Sequence, residues 1–289
     1  MNGPNSNPLS GGRLHLQHGP IDLIIGAEGA RDTAFQAAHA RFQTILEELV
    51  RELPRLRRPL SAQARFKGVV AQRMAAAVQP FADVFVTPMA AVAGAVAEEI
   101  LNAMLNAAPL QRAYVNNGGD IALHLSREVR PQAQFELVIS GLDGHGLGTI
   151  SIDSDAPVRG IATSGAGGRS FSLGIAQSVT VLARSASVAD AAATLIANSV
   201  DLPGNPSITR TPANVLQPDS DLGDRLVVTG TSDLSRQEIG QALDRGHQYA
   251  QALVRNGSIV SAVIFLRGCS RVAGPLPVSA LNARMAEHV

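Results

Sequence analysis

The chain has 289 residues, 24 basic and 24 acidic side chains, and no Trp. That length supports a substantial core, and the neutral balance excludes the basic footprint of a nucleic-acid-binding surface. The single cysteine, Cys269, excludes an intrachain disulfide framework and reads as a buried or half-buried inert thiol.

Residues 1–12 are rich in Asn, Pro, Ser and Gly and read as a disordered tail. They lack the charged-then-apolar pattern of a signal segment. Residues 13–16 and 21–25 read as strands about the turn His18-Gly19-Pro20. A long helix follows over 32–53, with Phe35, Ala38, Phe42, Ile45, Leu46 and Leu49 at helical spacing and Pro54 and Pro59 closing it. The basic stretch 51–67, with Arg55, Arg57 and Arg58, is either a solvated helix end or an anion contact. Residues 68–78 are helical. Thr87 is an expected N-cap with Pro88 at the first position of a helix over 89–106. Small residues line that helix, which suits close approach of another backbone or of a flat ligand. The apolar run 84–97 falls short of the roughly 20 residues that cross a bilayer, so the protein is expected to be cytoplasmic, with no membrane partner.

From residue 112 the pattern turns to strands: 113–116, 121–125, 135–140, 148–152, 159–162 and 178–183, parted by glycine-rich turns. A helix over 188–199 starts with Ser187 as its N-cap. A loop covers 201–224, then come a strand at 226–229, a helix at 234–255 and a strand at 259–266. The tail after Gly274 is expected to be peripheral. Helices, then a mostly antiparallel sheet, then helix and strand again predict an α+β fold, taken as a single domain over 13–289.

Three segments could carry chemistry. Asn116-Asn117-Gly118-Gly119-Asp120 joins two strands. Its glycines permit positive φ and close ligand approach, as in an anion-binding nest, but Asn-Gly is also the strongest short hairpin signal. Thr163-Ser164-Gly165 with Arg169 offers hydroxyls, glycines and a guanidinium to a phosphate, without the terminal Lys-Ser/Thr of a P-loop. Asp190 and Thr194 stand at i and i+4 on one helix face. They are either hard oxygen ligands for Mg²⁺ or Ca²⁺, or an exposed acid and a back-bonded hydroxyl. The seven histidines show no metal spacing.

Tyr114-Val-Asn-Asn-Gly-Gly-Asp-Ile121, Ile161-Ala-Thr-Ser-Gly165 with Arg169 and Phe171, and Ser178-Val-Thr-Val181 leading to Ala189-Asp-Ala-Ala-Ala-Thr194 resemble, in order and spacing, the ApbE superfamily of FAD:protein FMN transferases. With Leu14-His-Leu-Gln-His-Gly-Pro20 and Phe85-Val-Thr-Pro-Met-Ala-Ala-Val-Ala-Gly94, the whole chain resembles a short branch of it. The resemblance implies an ApbE-like α+β fold, with Asp190 and Thr194 as metal ligands. Asn117, Gly118, Gly119 and Asp120, together with Thr163, Ser164, Gly165 and Arg169, would line a flavin-nucleotide cleft. It implies Mg²⁺ with FAD, FMN or another nucleotide, and a Thr or Ser of a protein substrate as FMN acceptor. A homodimer is carried with that reading. Tyr114 and Phe66 are the aromatic candidates for flavin stacking, and no catalytic residue is assigned.

Two departures stand out. The family carries an Asp and then a Lys or Glu ahead of the glycine that matches Gly94, and 87–94 has neither. The family places a His and then Asp-Pro-x-Thr-Gly before Ser-Val-Thr-Val, and 166–177 contains no His or Asp. The readings are therefore a nucleotide-handling transferase or phosphoanhydride-cleaving enzyme, a non-catalytic binding module, or a biosynthetic enzyme for a one-carbon-carrying cofactor.

Overall fold

The computed structural model describes residues 3–61, 63–126, 128, 134–140, 146–168, 170–276 and 278–281. In chain order its strands and helices are β1 (Asn5–Leu9), β2 (Arg13–His18), β3 (Ile21–Gly29), α1 (Arg31–Leu56), α2 (Val69–Val78), α3 (Val92–Ala107), β4 (Leu110–Asn117), β5 (Asp120–Leu125), β6 (Gln134–Ser140), β7 (Gly146–Asp153), β8 (Gly160–Ser164), β9 (Ser178–Ala183), α4 (Ala186–Ser199), β10 (Ile208–Pro212), α5 (Ala213–Leu216), β11 (Leu226–Thr231), α6 (Arg236–Arg255), β12 (Ser261–Leu266), β13 (Cys269–Ala273) and β14 (Val278–Leu281). Helices combined with antiparallel strand pairs make the fold α+β, as the sequence predicted.

Packing divides the chain into two units. The first holds residues 1–134, 153–162 and 183–191. In it β1 to β5 form a continuous antiparallel ladder, and the first residues of β8 add beside β5 through Ile121↔Ile161. α1, α2 and α3 pack together, burying Phe42, Ile45, Met74, Ile100 and Met104. The second unit holds 135–152, 163–182 and 192–289. There β12 pairs with β9 on one side and β13 on the other, and α6 packs on β12 and β13. Every residue of β9 and β12 is buried, which suits strands covered on both faces. α6 starts with a capping box: the Ser235 hydroxyl accepts from the Glu238 amide, and the Glu238 carboxylate accepts from the Ser235 amide.

Several elements depart from expectation. The N-terminal segment expected to be disordered contains β1, an edge strand pinned to β2 from Asn5↔Gln17 to Leu9↔Arg13. Edge position explains how Pro8 is tolerated there. α1 runs through Pro54 to Leu56 instead of ending before it. Thr87 makes no side-chain cap, because residues 88–91 form a 3₁₀ turn and α3 starts only at Val92. With that turn included, 88–107 is long and apolar enough by length and composition to cross a membrane, which the sequence count had missed; half of that stretch is buried in the fold. Ser187 lies inside α4 rather than at its cap. The loop expected over 201–224 contains β10 and α5, and residues after Gly274 include β14, which pairs with β7. β13 was not anticipated; it returns from β12 through Arg267 and Gly268, both at positive φ.

Candidate functional site

The Asn-Asn-Gly-Gly-Asp segment is a two-residue hairpin turn. Asn117 pairs with Asp120 across the β4–β5 ladder, and Gly118 and Gly119 sit between them at φ of 67° and 116°. Positive φ at both central positions is what such a turn requires. The Gly119 amide donates to the Asn116 side chain at 2.8 Å, so that amide is already used. Asn117 is only 5% exposed, and its amide donates to the Ala93 carbonyl at 3.1 Å. It ties the turn to the start of α3. Tyr114 is fixed from the other side: its ring lies over Gly26, where an added Cβ would sit 2.3 Å from the ring.

Asp190 projects from α4 onto the start of α3. Its Oδ2 accepts the Gly94 amide at 3.0 Å, and the Ala93 amide also donates to it. These are first-turn amides with no partner inside their own helix, so Asp190 caps α3 from 96 residues away. Burial pushes the Asp190 carboxyl well above the usual aspartate range, the nearby Asp120 charge pushes it further, and the two amides only partly offset this.

Glu98, one turn along α3 from Gly94, answers in the other direction. Its Oε1 accepts both the Ser187 amide at 2.8 Å and the Ser187 hydroxyl at 3.0 Å, so α3 caps α4 as α4 caps α3. Arg73 of α2 holds the other Glu98 oxygen at 3.1 Å and bonds Glu99 at 2.9 Å. Glu99 also takes Arg41, which grips Glu48 as well. The helix starts can come this close because of two glycines. A Cβ on Gly94 would lie 2.2 Å from the Ala186 carbonyl oxygen, and one on Gly160 would lie 2.1 Å from the Ala186 nitrogen.

Thr194 follows Asp190 by one turn of α4 and is half-buried. Its hydroxyl takes no hydrogen bond among the described residues, so the back-bonded alternative does not hold. In the second unit, the Thr163 hydroxyl pairs with that of Thr180 at 3.0 Å, while the buried Ser178 hydroxyl has no partner among the described residues. Ser178 and Thr180 alternate onto one face of β9. Ser164 is half-buried beside them in sequence. Gly165 serves backbone packing, since a Cβ there would meet the Gln177 carbonyl oxygen at 2.4 Å. Arg169 lies outside the described residues.

The remaining candidates fall elsewhere. In the basic stretch, Arg55 bonds the Arg65 carbonyl, and the Glu52 carboxylate takes the Lys67 and Gly68 amides. Cys269 is half-buried, as expected. No group of three or more His, Cys, Asp or Glu side chains shaped for a metal occurs among the described residues. Sequence reasoning missed Glu98 and Arg73, and it placed Ser187 as a helix cap without its Glu98 partner. The adjacent carboxylates Glu98-Glu99 in an apolar helix were the available signal.

A family model described as "AbpE bacteria" matches residues 6–272. The chain belongs to this family. That establishes the ApbE-like membership expected from the motifs. A UPF0280 protein of Methanopyrus kandleri is 41% identical over 130 residues, covering 45% of this chain and 48% of the relative. A UPF0280 protein of Methanococcus vannielii is 40% identical over 122 residues, covering 39% and 45%. The matched segments thus span about half the length of these relatives. Among solved structures, the apo flavinyl transferase ApbE of Pseudomonas stutzeri gives a TM-score of 0.47 at 12% identity over 94% of this chain and 96% of that one. The ApbE protein of Thermotoga maritima gives 0.47 at 10% identity over 93% and 96%.

Proposed function

We propose that the protein is an Mg²⁺-dependent flavin- or nucleotide-binding member of the family that acts on a phosphoanhydride or transfers a nucleotide-derived group. The observation that carries this reading is the Asp190 carboxyl, held by the Gly94 amide at the start of α3 and pushed up first by burial and then by the nearby Asp120 charge. Such a carboxylate is stabilised by a cation, and carboxylate oxygens with the Thr194 hydroxyl one turn on are the hard donors that Mg²⁺ takes. The donor set fits the metal. When bound, Mg²⁺ would neutralise charge developing on bridging phosphates.

In this reading Asp190 and Thr194 hold the metal. The turn Gly118-Gly119-Asp120 lines the ligand site in the first unit. Thr163, Ser164 and Gly165 offer hydroxyls and a close-packed backbone in the second, with Arg169 as a phosphate contact. The Gly94 amide holds Asp190 Oδ2, and the Ala93 amide also donates to this carboxylate. FAD, FMN or another nucleotide is the ligand class, a protein Ser or Thr the acceptor in the transferase version, and the cytoplasm the setting. A specific observation favours a second reading, a binding module: residues 166–177 hold no His or Asp to serve proton transfer.

Incubation with FAD and Mg²⁺, followed by chromatography, separates the two. Release of AMP and FMN supports the enzyme. Bound, intact FAD supports the module. No binding of FAD, FMN or AMP with or without Mg²⁺ refutes both. Unchanged ligand affinity in Asp190→Ala, with and without Mg²⁺, would overturn the metal assignment.

A further inference from the structure

We propose that Glu98 and Arg73 are positioning residues for a cation site at Asp190, acting through the first turn of α4. The inference rests on the metal reading above and adds to it two side chains that would touch neither metal nor ligand.

The argument begins with how few ways the start of α4 can sit. Ser185 and Ala186 are wedged between the Gly94 and Gly160 backbones with no room for a methyl group on either side. That closeness sets the distance between the helices but leaves α4 free to turn about its axis. Two carboxylates remove that freedom. Asp190 of α4 is held by the Gly94 amide of α3, and Glu98 of α3 holds the amide and hydroxyl of Ser187. The contacts lie three residues apart on α4 and four apart on α3, nearly a full turn on each. They act as two pins rather than one hinge. Loss of the Glu98 pin leaves Asp190 attached by its own bonds alone, so the direction of its second oxygen is no longer fixed.

Arg73 makes the Glu98 pin rigid. The side chains of Glu98 and Arg73 are 17% and 20% exposed, and Arg73 bridges Glu98 and Glu99. A half-buried carboxylate with one oxygen on a guanidinium and the other on two Ser187 donors has little rotational freedom. Partners one shell out from a metal ligand commonly change metal affinity by 10–100-fold, because they fix ligand orientation.

The test measures Mn²⁺ affinity by electron paramagnetic resonance, with Mn²⁺ standing in for Mg²⁺, on the full chain well below its melting temperature. Wild type should bind Mn²⁺, and Asp190→Asn should abolish that binding. Glu98→Ala should weaken it about 10-fold or more, Arg73→Gln less, and Ser187→Ala about as much as Arg73→Gln. Glu98→Gln keeps an acceptor for Ser187 but sets an amide NH2 against Arg73, so it should bind more tightly than Glu98→Ala and no better than Arg73→Gln. Phe42→Leu, a buried core change on α1, serves as a variant that lowers melting temperature without touching either pin. Should Glu98→Ala not fold, Ser187→Ala and Arg73→Gln carry the comparison. The proposal is overturned if these variants melt earlier, as Phe42→Leu does, yet bind Mn²⁺ with wild-type affinity. If wild type shows no Asp190-dependent Mn²⁺ binding at all, the metal reading fails first, and the inference fails with it.

Discussion

Gly94→Ala is the sharpest probe of the helix crossing. Gly94 lies inside α3 and does not have positive φ, so intrinsic preference alone favours alanine there by about 0.8–1 kcal/mol. The structure demands the reverse. The new Cβ would lie 2.2 Å from the Ala186 oxygen, 2.5 Å from its carbonyl carbon and 2.7 Å from the Ser187 nitrogen. All three are backbone atoms and cannot rotate away, so relief requires α4 to shift and the Gly94–Asp190 bond to lengthen. Overpacking costs about 1–3 kcal/mol, and an all-backbone clash belongs at the upper end. The net loss is about 2 kcal/mol, or roughly 4–8 °C for a fold of this size. Gly240→Ala supplies the opposite sign. It sits inside α6 with nothing within 4 Å of the added Cβ, so the same exchange should raise the melting temperature by about 2 °C. Calorimetry of both variants decides the matter. If Gly94→Ala melts at or above wild type, the close crossing of α3 and α4 is wrong.

Two further predictions concern charge. Because the folded state raises the Asp190 pKa, the native protein holds a proton that the unfolded chain releases near pH 3.9. Metal-free stability from this group is therefore greatest below that pH and falls as pH rises through the folded pKa. Asp190→Asn should flatten that decline in melts taken from pH 4 to 8, and an unchanged slope would exclude Asp190 as its source. Arg41→Met should cost about 1–2 kcal/mol near neutrality, allowing for partial exposure, because it takes the guanidinium from Glu48, which keeps the Thr44 hydroxyl, and leaves Glu99 to Arg73. Arg41 holds the Glu48 pKa low; for Glu99, burial is the largest influence and opposes the shift, but Arg41 and Arg73 together still bring it below normal. The stability from both is present above the ordinary glutamate range and lost below it. Urea midpoints of wild type and variant should converge as the pH drops toward 3, and a gap that persists there would sink the ion-pair explanation.

Much of the fold was legible from local pattern. α1 follows from Phe42, Ile45, Leu46 and Leu49 at helical spacing, and β9 from a run whose residues are all buried. The missed strands are those that neighbours make. Asn5–Leu9 is polar and contains Pro8, and only β2 beside it turns it into a strand. β13 depends on a turn with Arg267 at a φ of 50°, where the Arg267 side chain bonds the Thr231 and Ser232 carbonyls. Pro54 was read as a stop, yet α1 continues for two residues beyond it.

Within the candidate site, the sequence by itself determined the hairpin at Gly118-Gly119, the helical pairing of Asp190 with Thr194, and membership in the family. Each rests on spacing of a few residues or on motifs in order along the chain. It could not show that Asp190 meets Gly94 and Asp120, or that Glu98 meets Ser187, since these partners stand 70 to 96 residues apart. Only the tertiary structure decided that an aspartate read either as a metal ligand or as an exposed acid also caps a helix, and that burial and a second carboxylate raise its pKa. The reason is physical: orphan helix amides and desolvation exist only once the chain has packed.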